Sequence, residues 1–413
     1  MDFSFIHAAD LHIDSPLDAL GQKDKSVAAR FEGAGRRAVE RLVAETISSG
    51  AAFLVIAGDI FDGDWRDAAT GLFFVRQLGE LNRAGIPVFI VKGNHDAESV
   101  VSRSLPLPGN VTVFDSAKAD TFELADKRIA LHGRSFPDRG VPAAFVQNYP
   151  ARREGWLNIG ILHTSLAGSS DHDEYAPCSA EDLRRFGYDY WALGHVHSHQ
   201  IVARDPWIVY PGNIQGRSIR ETGAKGAVRV VVRDGRIADA EHLPFDSARW
   251  EHETIDVSRC ERIDDIYALA GDAIAAAHQR SGGLPLALRL TLAGASVLHG
   301  ALSAGFCDIE DIRAIAFRHG ADCWVEKIVV ATKAQPRTAF IAKEDALDIQ
   351  ALITAAAADP AFETALHATI GEISGKLPKA LQPELPQDEN ALQALAARVR
   401  DRLAGSLGAE RDS

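Results

Sequence analysis

Five short blocks of this chain carry the residue types that bind divalent cations and move protons. They are Asp10-Leu11-His12, Gly58-Asp59, Gly93-Asn94-His95-Asp96, His163-Thr164 and Gly194-His195-Val196-His197. Carboxylate, imidazole and amide oxygen in this mixture suit borderline-hard divalent ions. In the third block Asn94 offers a neutral oxygen, His95 an acid, and Asp96 a carboxylate that can orient that imidazole. Asp10 and His12 would share one side of an extended segment and grip one ion, and His195 and His197 repeat the pattern. One such block is ordinary in any protein. Five in this order are not.

Each block follows an apolar run that reads as a buried strand: residues 3–9, 53–57, 86–91, 157–162 and 190–193. Runs without polar alternation are typical of strands covered on both faces. Ligands in open α/β sheets sit beyond the carboxyl ends of such strands, where all five blocks fall. Helical periodicity over 26–49 and 70–84 supplies the crossovers, which predicts a βαβαβ start and a largely parallel first sheet. Residues 111–114, 121–124 and 128–132 are expected as short strands on that sheet's far side. Residues 208–213 and 227–233 are expected to close a second sheet, with a hairpin turn at Asp234-Gly235. His132, inside an apolar stretch, reads as a satisfied core histidine, His172 as part of a solvated acidic loop, and His199 as outlying or exposed.

At 413 residues the chain has room for two or three domains. Its hydrophobic share of 46% and charged share of 24% are those of soluble globular proteins, and no apolar run approaches bilayer-spanning length. That excludes a membrane-embedded role. Asp2 stands where a signal peptide needs a base, so a cytoplasmic location is expected. Cys178, Cys260, Cys307 and Cys323 are far apart and form no Cys-x-x-Cys pair, which argues for buried thiols and against a zinc knuckle or disulfide frame. A net charge of −13 argues against general wrapping of nucleic acid but leaves room for a locally positive site.

After Phe245 the pattern changes. Residues 250–257 (strand), 263–278 (helix), 286–292 (strand), 309–319 (helix) and 324–330 (strand) predict a second, compact βαβαβ unit. Helices follow at 346–358 and 361–373, then a proline-studded linker reaching Pro386. A last amphipathic helix spans 389–403, with Leu392, Leu395, Val399 and Leu403 on one stripe. That stripe fits either a helix packed on its own domain or one that docks on a partner. The expected domains are therefore 1–245, 246–340 and a helical tail, 341–413.

The five blocks resemble those of the calcineurin-like metallophosphoesterases, over roughly residues 1–245. Tyr210-Pro211-Gly212-Asn213-Ile214-Gln215-Gly216-Arg217, then Glu221 and Lys225-Gly226, make the chain similar to SbcD-type DNA repair exonucleases, particularly the YhaO-like branch; the appended domain and tail support this. The resemblance implies a four-layer αββα sandwich with a small α/β cap domain and a helical tail. It implies two divalent ions, Mn2+ by expectation: one on Asp10, His12, Asp59 and His197, the other on Asp59, Asn94, His163 and His195, with Asp59 bridging. The implied reaction is in-line hydrolysis of a phosphodiester, with His95 stabilising the phosphorane or protonating the leaving oxygen and Asp96 holding His95. DNA is the implied substrate. A separate SbcC-like coiled-coil ATPase is the implied partner, since no Gly-x-x-x-x-Gly-Lys-Ser/Thr loop occurs in this chain; a homodimer is a further expectation. Asp62 is a departure, standing where eukaryotic-type nucleases of this group carry a second histidine. The metal blocks alone fit equally a phosphodiesterase or phosphatase acting on small molecules such as cyclic nucleotides. The cap and tail favour the nuclease, and the intact ligand set disfavours a vestigial scaffold.

Overall fold

The computed structural model describes residues 2–15, 31–62, 68–98, 105–138, 145–166, 178–320, 322–335 and 359–376, together with 355, 386, 391–393, 395 and 399. Two compact units share the chain: Met1–Glu251 with Ser281–Ala287, and His252–Arg280 with Leu288–Ser413.

The first unit is built on two six-stranded sheets. The first sheet runs in the order β12-β11-β1-β2-β3-β4, from β1 (Phe3–Ala8), β2 (Leu54–Ala57), β3 (Val88–Val91), β4 (Val111–Val113), β11 (Gly226–Arg233) and β12 (Arg236–Pro244). Strands β1 to β4 are parallel, with Ile6 opposite Leu54, Leu54 opposite Val88 and Val88 opposite Val111. The crossovers carry α1 (Ala34–Ser48) and α2 (Ala68–Arg83). The second sheet runs β5-β6-β7-β8-β10-β9, from β5 (Asp120–Leu124), β6 (Ile129–Gly133), β7 (Leu157–His163), β8 (Tyr190–Gly194), β9 (Gln200–Arg204) and β10 (Trp207–Tyr210).

The alternation of side chains sorts these strands into layers. Ile6, Leu54, Ile56, Val88 and Ile90 pack with Val39, Leu42, Phe74 and Leu78 of the two helices. Their neighbours Phe5, Val55, Phe89 and Val91 face the other way and meet Ile129, Ile159, Ile161 and Tyr190 of the second sheet. That sheet's outer side, with Leu162, Trp191 and Ile208, is covered by Phe136, Phe145, Tyr149 and, from α4 (Ala180–Arg184), Leu183. The result is the expected helix-sheet-sheet-helix sandwich. Each fully buried large side chain contributes about 1.5–3 kcal/mol, so the continuous apolar runs are what drive the central strands inside.

Two expectations need correction. Of the short strands placed beyond the first sheet, only β4 extends it; β5 and β6 pair antiparallel and begin the second sheet. Residues 227–233 do not close the second sheet. As β11 they lie antiparallel to β1, Phe3 opposite Val232 and His7 opposite Val228, and send Val228, Val230 and Val232 into the core between the sheets. A half-buried strand alternates identically at the edge of either sheet, so its periodicity cannot choose. Of the helix expected over 26–49, Ala34–Ser48 is α1, with Gly33 at its N-terminal cap in the left-handed region; residues 16–30 lie outside those described.

A third sheet is three-stranded, β13 (Arg249–Asp256), β14 (Leu286–Ser296) and β15 (Cys323–Ala334) in that order, with α5 (Ile263–Ser281), α6 (His299–Ala304) and α7 (Ile309–Phe317) between them in the chain. The expected helix at 361–373 is α8 (Pro360–Lys376). Apart from residue 355, the expected helix at 346–358 lies outside the described residues, as does most of that at 389–403; of the stripe, Leu392 is buried and Val399 is 37% exposed. All four cysteines are free, three of them buried and Cys307 half-buried. Among the described residues no helix is long and apolar enough to cross a membrane.

Candidate metal centre

The carboxyl ends of β1, β2, β3, β7 and β8 converge, and the chain turns sharply at several of them. Asp10 and His12 have φ of 51° and 40°, Asp59 has 54° and His195 has 98°. A left-handed backbone costs a residue with a Cβ of order 1–3 kcal/mol and persists only where the surroundings over-determine it. Asp10 and His12 do meet, but on a backbone that is left-handed at both positions rather than extended. Hydrogen bonds hold the turns: Asp10 N–H to Gly58 O at 3.0 Å, His12 N–H to Asp59 O at 3.1 Å and Ile13 N–H to Ile60 O at 3.0 Å. The Asp10 carboxylate, in turn, accepts the His195 N–H at 3.0 and 3.1 Å, joining the ends of the two sheets.

All seven predicted donors come together. Asp10, His12 and His197 form one group and Asp59, His163 and His195 another, with one ligand atom from each residue within 4.8 Å of the others in its group. Asn94 Oδ1 lies 3.0 Å from His163 Nε2. Asp59 Oδ2 stands between the groups, 3.3 Å from His163 Nε2 and 3.9 Å from His12 Nε2. Of the two predicted catalytic residues, His95 is half-buried in α3 (Asn94–Glu98), its N–H donated to Asp59 Oδ1 at 3.0 Å and its ring 5.3 Å from that of His12. Asp96 is buried and accepts the N–H groups of Ile60, Phe61 and Gly93 at 2.9, 3.1 and 3.1 Å, tying the loop after β2 to the loop after β3.

Tautomers follow from the partners. A carboxylate or carbonyl oxygen can only accept, so the imidazole nitrogen facing it must carry the proton. Asp62 Oδ1 sits 2.5 Å from His12 Nδ1, Glu221 Oε1 2.8 Å from His197 Nδ1, and Ala57 O 2.9 Å from His163 Nδ1. In neutral rings that leaves Nε2 of His12 and of His197 as acceptors, and these two atoms face each other at 3.3 Å. Two lone pairs at that distance repel, and a proton or a metal ion between them relieves the repulsion. Burial works against charging His163, yet the Asp59 carboxylate outweighs it and lifts the imidazole to about 9. Burial also opposes ionisation of Asp59, which His163 and His12 nonetheless hold well below the usual carboxylate range. Burial pushes Asp10 up, and burial with the Asp59 charge pushes Asp96 up to about 7. The electrostatics asks for positive charge where the donors converge.

Two glycines make the room. A Cβ on Gly194 would lie 1.9 Å from Ala57 O and 2.9 Å from His163 Nδ1; one on Gly58 would lie 2.4 Å from that nitrogen. Carboxylate, imidazole and amide groups whose donor atoms converge in this way fit divalent ions. Sequence reasoning left Asp62 without a role and used Arg217 and Glu221 only as marks of resemblance. The available signal was Arg217 and Glu221 at a spacing of four, shortly after His197, which is too common a pattern to single out.

This arrangement is that of a metal-dependent phosphoesterase, and the chain belongs to the calcineurin-like metallophosphoesterases, a family of hydrolases that bind divalent metal ions. The family model for calcineurin-like phosphoesterases matches residues 3–199, and that for the middle domain of the metallophosphoesterase YhaO matches 250–333. The chain is 34% identical over 297 residues to the uncharacterized metallophosphoesterase YhaO of Bacillus subtilis, covering 71% of this chain and 72% of that protein. It is 26% identical over 211 residues to the DNA double-strand break repair protein Mre11 of Methanopyrus kandleri, 46% of this chain and 44% of that one. It is 25% identical over 202 residues to the double-strand break repair protein MRE11 of Encephalitozoon cuniculi, 44% of this chain and 34% of that one. The match thus spans less than half of either repair protein. Among solved structures, a dimetal phosphatase from Danio rerio is 13% identical with a TM-score of 0.35, covering 59% of this chain and 99% of that one.

Proposed function

We propose that this chain is a two-metal DNA nuclease subunit that uses Mn2+ and works with an SbcC-like coiled-coil ATPase. The phosphodiesterase part rests on one observation above all: Asp59 Oδ2 stands 3.3 Å and 3.9 Å from imidazoles of two separate donor groups, as a bridging ligand must. Asp10, His12, Asp59 and His197 would hold one ion, and Asp59, Asn94, His163 and His195 the other. Such ions, when bound, supply Lewis acidity toward phosphoryl oxygens and lower the pKa of water. Two dications against the two ligand carboxylates leave the pocket positive, so it attracts a phosphodiester although the chain carries −13 overall. His95 is fixed through its backbone to Asp59 while its imidazole is not a ligand in this assignment. It can give a proton to the leaving oxygen or stabilise charge on the phosphorane. Asp96 keeps the two loops that carry Asp59 and His95 in register. DNA as the substrate is supported by likeness to two proteins named for double-strand break repair.

The test is hydrolysis by the purified full chain with Mn2+, offered end-labelled single- and double-stranded DNA, cyclic nucleotides and a chromogenic phosphodiester. Metal-dependent cleavage of DNA is expected. Turnover of cyclic nucleotides with DNA untouched would put a small-molecule phosphodiesterase in its place, and no hydrolysis of any phosphodiester would overturn both.

A further inference from the structure

We infer that Glu221 and Asp62, joined by Arg217, are positioning residues that govern divalent-ion binding at the Asp10, His12 and His197 donor group and not at the other. This rests on the two-ion reading above.

The observations lie on one side of the centre. His12 and His197 each have an outer nitrogen backed by a carboxylate, at 2.5 and 2.8 Å. Arg217 links those carboxylates: its Nη2 donates to Glu221 Oε1 at 2.9 Å and its Nη1 lies 3.5 Å from Asp62 Oδ1. Arg217 Nη2 also lies 3.2 Å from His197 Nδ1, but both are donors there, and the shorter contact to Glu221 decides the tautomer. The Glu221 carboxylate is anchored in its own loop, accepting the Arg217 N–H at 2.7 Å and Asn213 Nδ2 at 2.9 Å. Lys225 Nζ donates to the carbonyl of His197 itself at 2.9 Å. The segment from Asn213 to Lys225 therefore fixes both the ring and the backbone of His197.

The other donor group is built differently. The outer nitrogen of His163 is held by a neutral carbonyl, Ala57 O, at 2.9 Å. A carboxylate behind an imidazole raises its basicity as a ligand and locks its direction more strongly than a carbonyl does, and losing such a partner typically costs about 10–100-fold in metal affinity. The two carboxylates that stand behind His12 and His197 therefore place the sensitivity on the Asp10 side.

The experiment measures Mn2+ bound per full-length chain against free Mn2+, by equilibrium dialysis with metal analysis, for wild type, Glu221→Gln, Asp62→Asn and Asn94→Ala. Wild type should show two ions. Glu221→Gln and Asp62→Asn, both close in shape to the native residues, should each weaken one binding step about 10–100-fold and leave the other unchanged. Asn94→Ala should weaken the step that those two spare, and paramagnetic resonance should show an isolated Mn2+ in Glu221→Gln where wild type shows a coupled pair. Should Glu221→Gln fail to fold, Asp62→Asn decides the matter by itself. Unchanged binding, equal loss of both ions, or loss of the same step in Glu221→Gln and Asn94→Ala would each overturn the inference. If wild type binds fewer than two ions, the two-ion reading falls and this inference with it; if it binds two and the variants behave like wild type, only this inference falls.

Discussion

Replacing Gly194 by alanine should injure the centre without touching a ligand. Gly194 ends β8 and faces the carbonyl of Ala57 at the end of β2, in the other sheet. A Cβ there would sit 1.9 Å from that oxygen and 3.0 Å from its carbon, both of them backbone atoms of a buried strand. No side-chain rotation relieves the clash, so the strand ends must part by at least about 1.1 Å, the gap between 1.9 Å and the 3.0 Å that real Cβ contacts respect. Overpacking of this kind costs about 1–3 kcal/mol. The same Cβ would press on His163 Nδ1 at 2.9 Å and strain its bond to Ala57 O, which is worth a further 0.5–1.5 kcal/mol or so. About 2–4 kcal/mol is therefore expected, and at about 2–4 °C per kcal/mol the melting temperature of the metal-free chain should fall by roughly 5–15 °C. Mn2+ affinity should fall as well, because the His163 ring moves. The control is Gly79→Ala in α2, where a Cβ meets nothing within 4 Å, and a neutral or slightly stabilising effect of about 0.5–1 kcal/mol is expected. A Gly194→Ala chain that melts with wild type and binds Mn2+ as tightly would refute the packing argument.

Four further outcomes can be measured. Asp59→Ala should lose both ions and all hydrolysis, because one carboxylate serves two donor groups; metal analysis finding two tightly bound ions would remove it from the ligand set. His95→Ala should keep both ions while turnover drops by about 10²–10⁴-fold, and loss of metal would make it a ligand instead. His7 is fully buried between Tyr190 Oη and Leu193 O, and burial lowers its pKa from 6.5 to about 3. The unfolded imidazole binds a proton below about pH 6.5 while the folded one stays neutral, so stability present above that pH should be lost as pH falls toward 3, by roughly 4–5 kcal/mol in full. Urea midpoints should therefore fall less steeply between pH 7 and 4 in His7→Asn than in wild type, and parallel curves would contradict this. Finally, a chain ending at Ala342 should retain metal-dependent hydrolysis but no longer co-purify with the ATPase; full retention of the partner would assign the 389–403 helix to its own core.

The central strands and the donors were legible because both are written locally. Continuous apolar runs such as 53–57 and 86–91 have no stable place except between two layers, and donors at their carboxyl ends are carried wherever the parallel sheets put them. What a strand pairs with is not local, which is why residues 227–233 were expected in the second sheet and lie beside β1 in the first. The left-handed turns at Asp10, His12, Asp59 and His195 were not readable, since Asp and His, although enriched among non-glycine residues with positive φ, take negative φ at most of their positions.

The outer carboxylates show the same limit at the level of chemistry. Asp62 is three residues from Asp59, yet its partner is His12, fifty positions away, while Glu221 reaches back to His197. A ligand announces itself by type and by its place at a strand end; the group that aims the ligand is only an ordinary Asp or Glu in a loop until the fold brings it to a ring nitrogen. Carboxylates within hydrogen-bond reach of an outer imidazole nitrogen are therefore to be sought after folding, not before, and here two of them stand behind His12 and His197. Two donor groups that look equivalent in composition are thereby made chemically distinct.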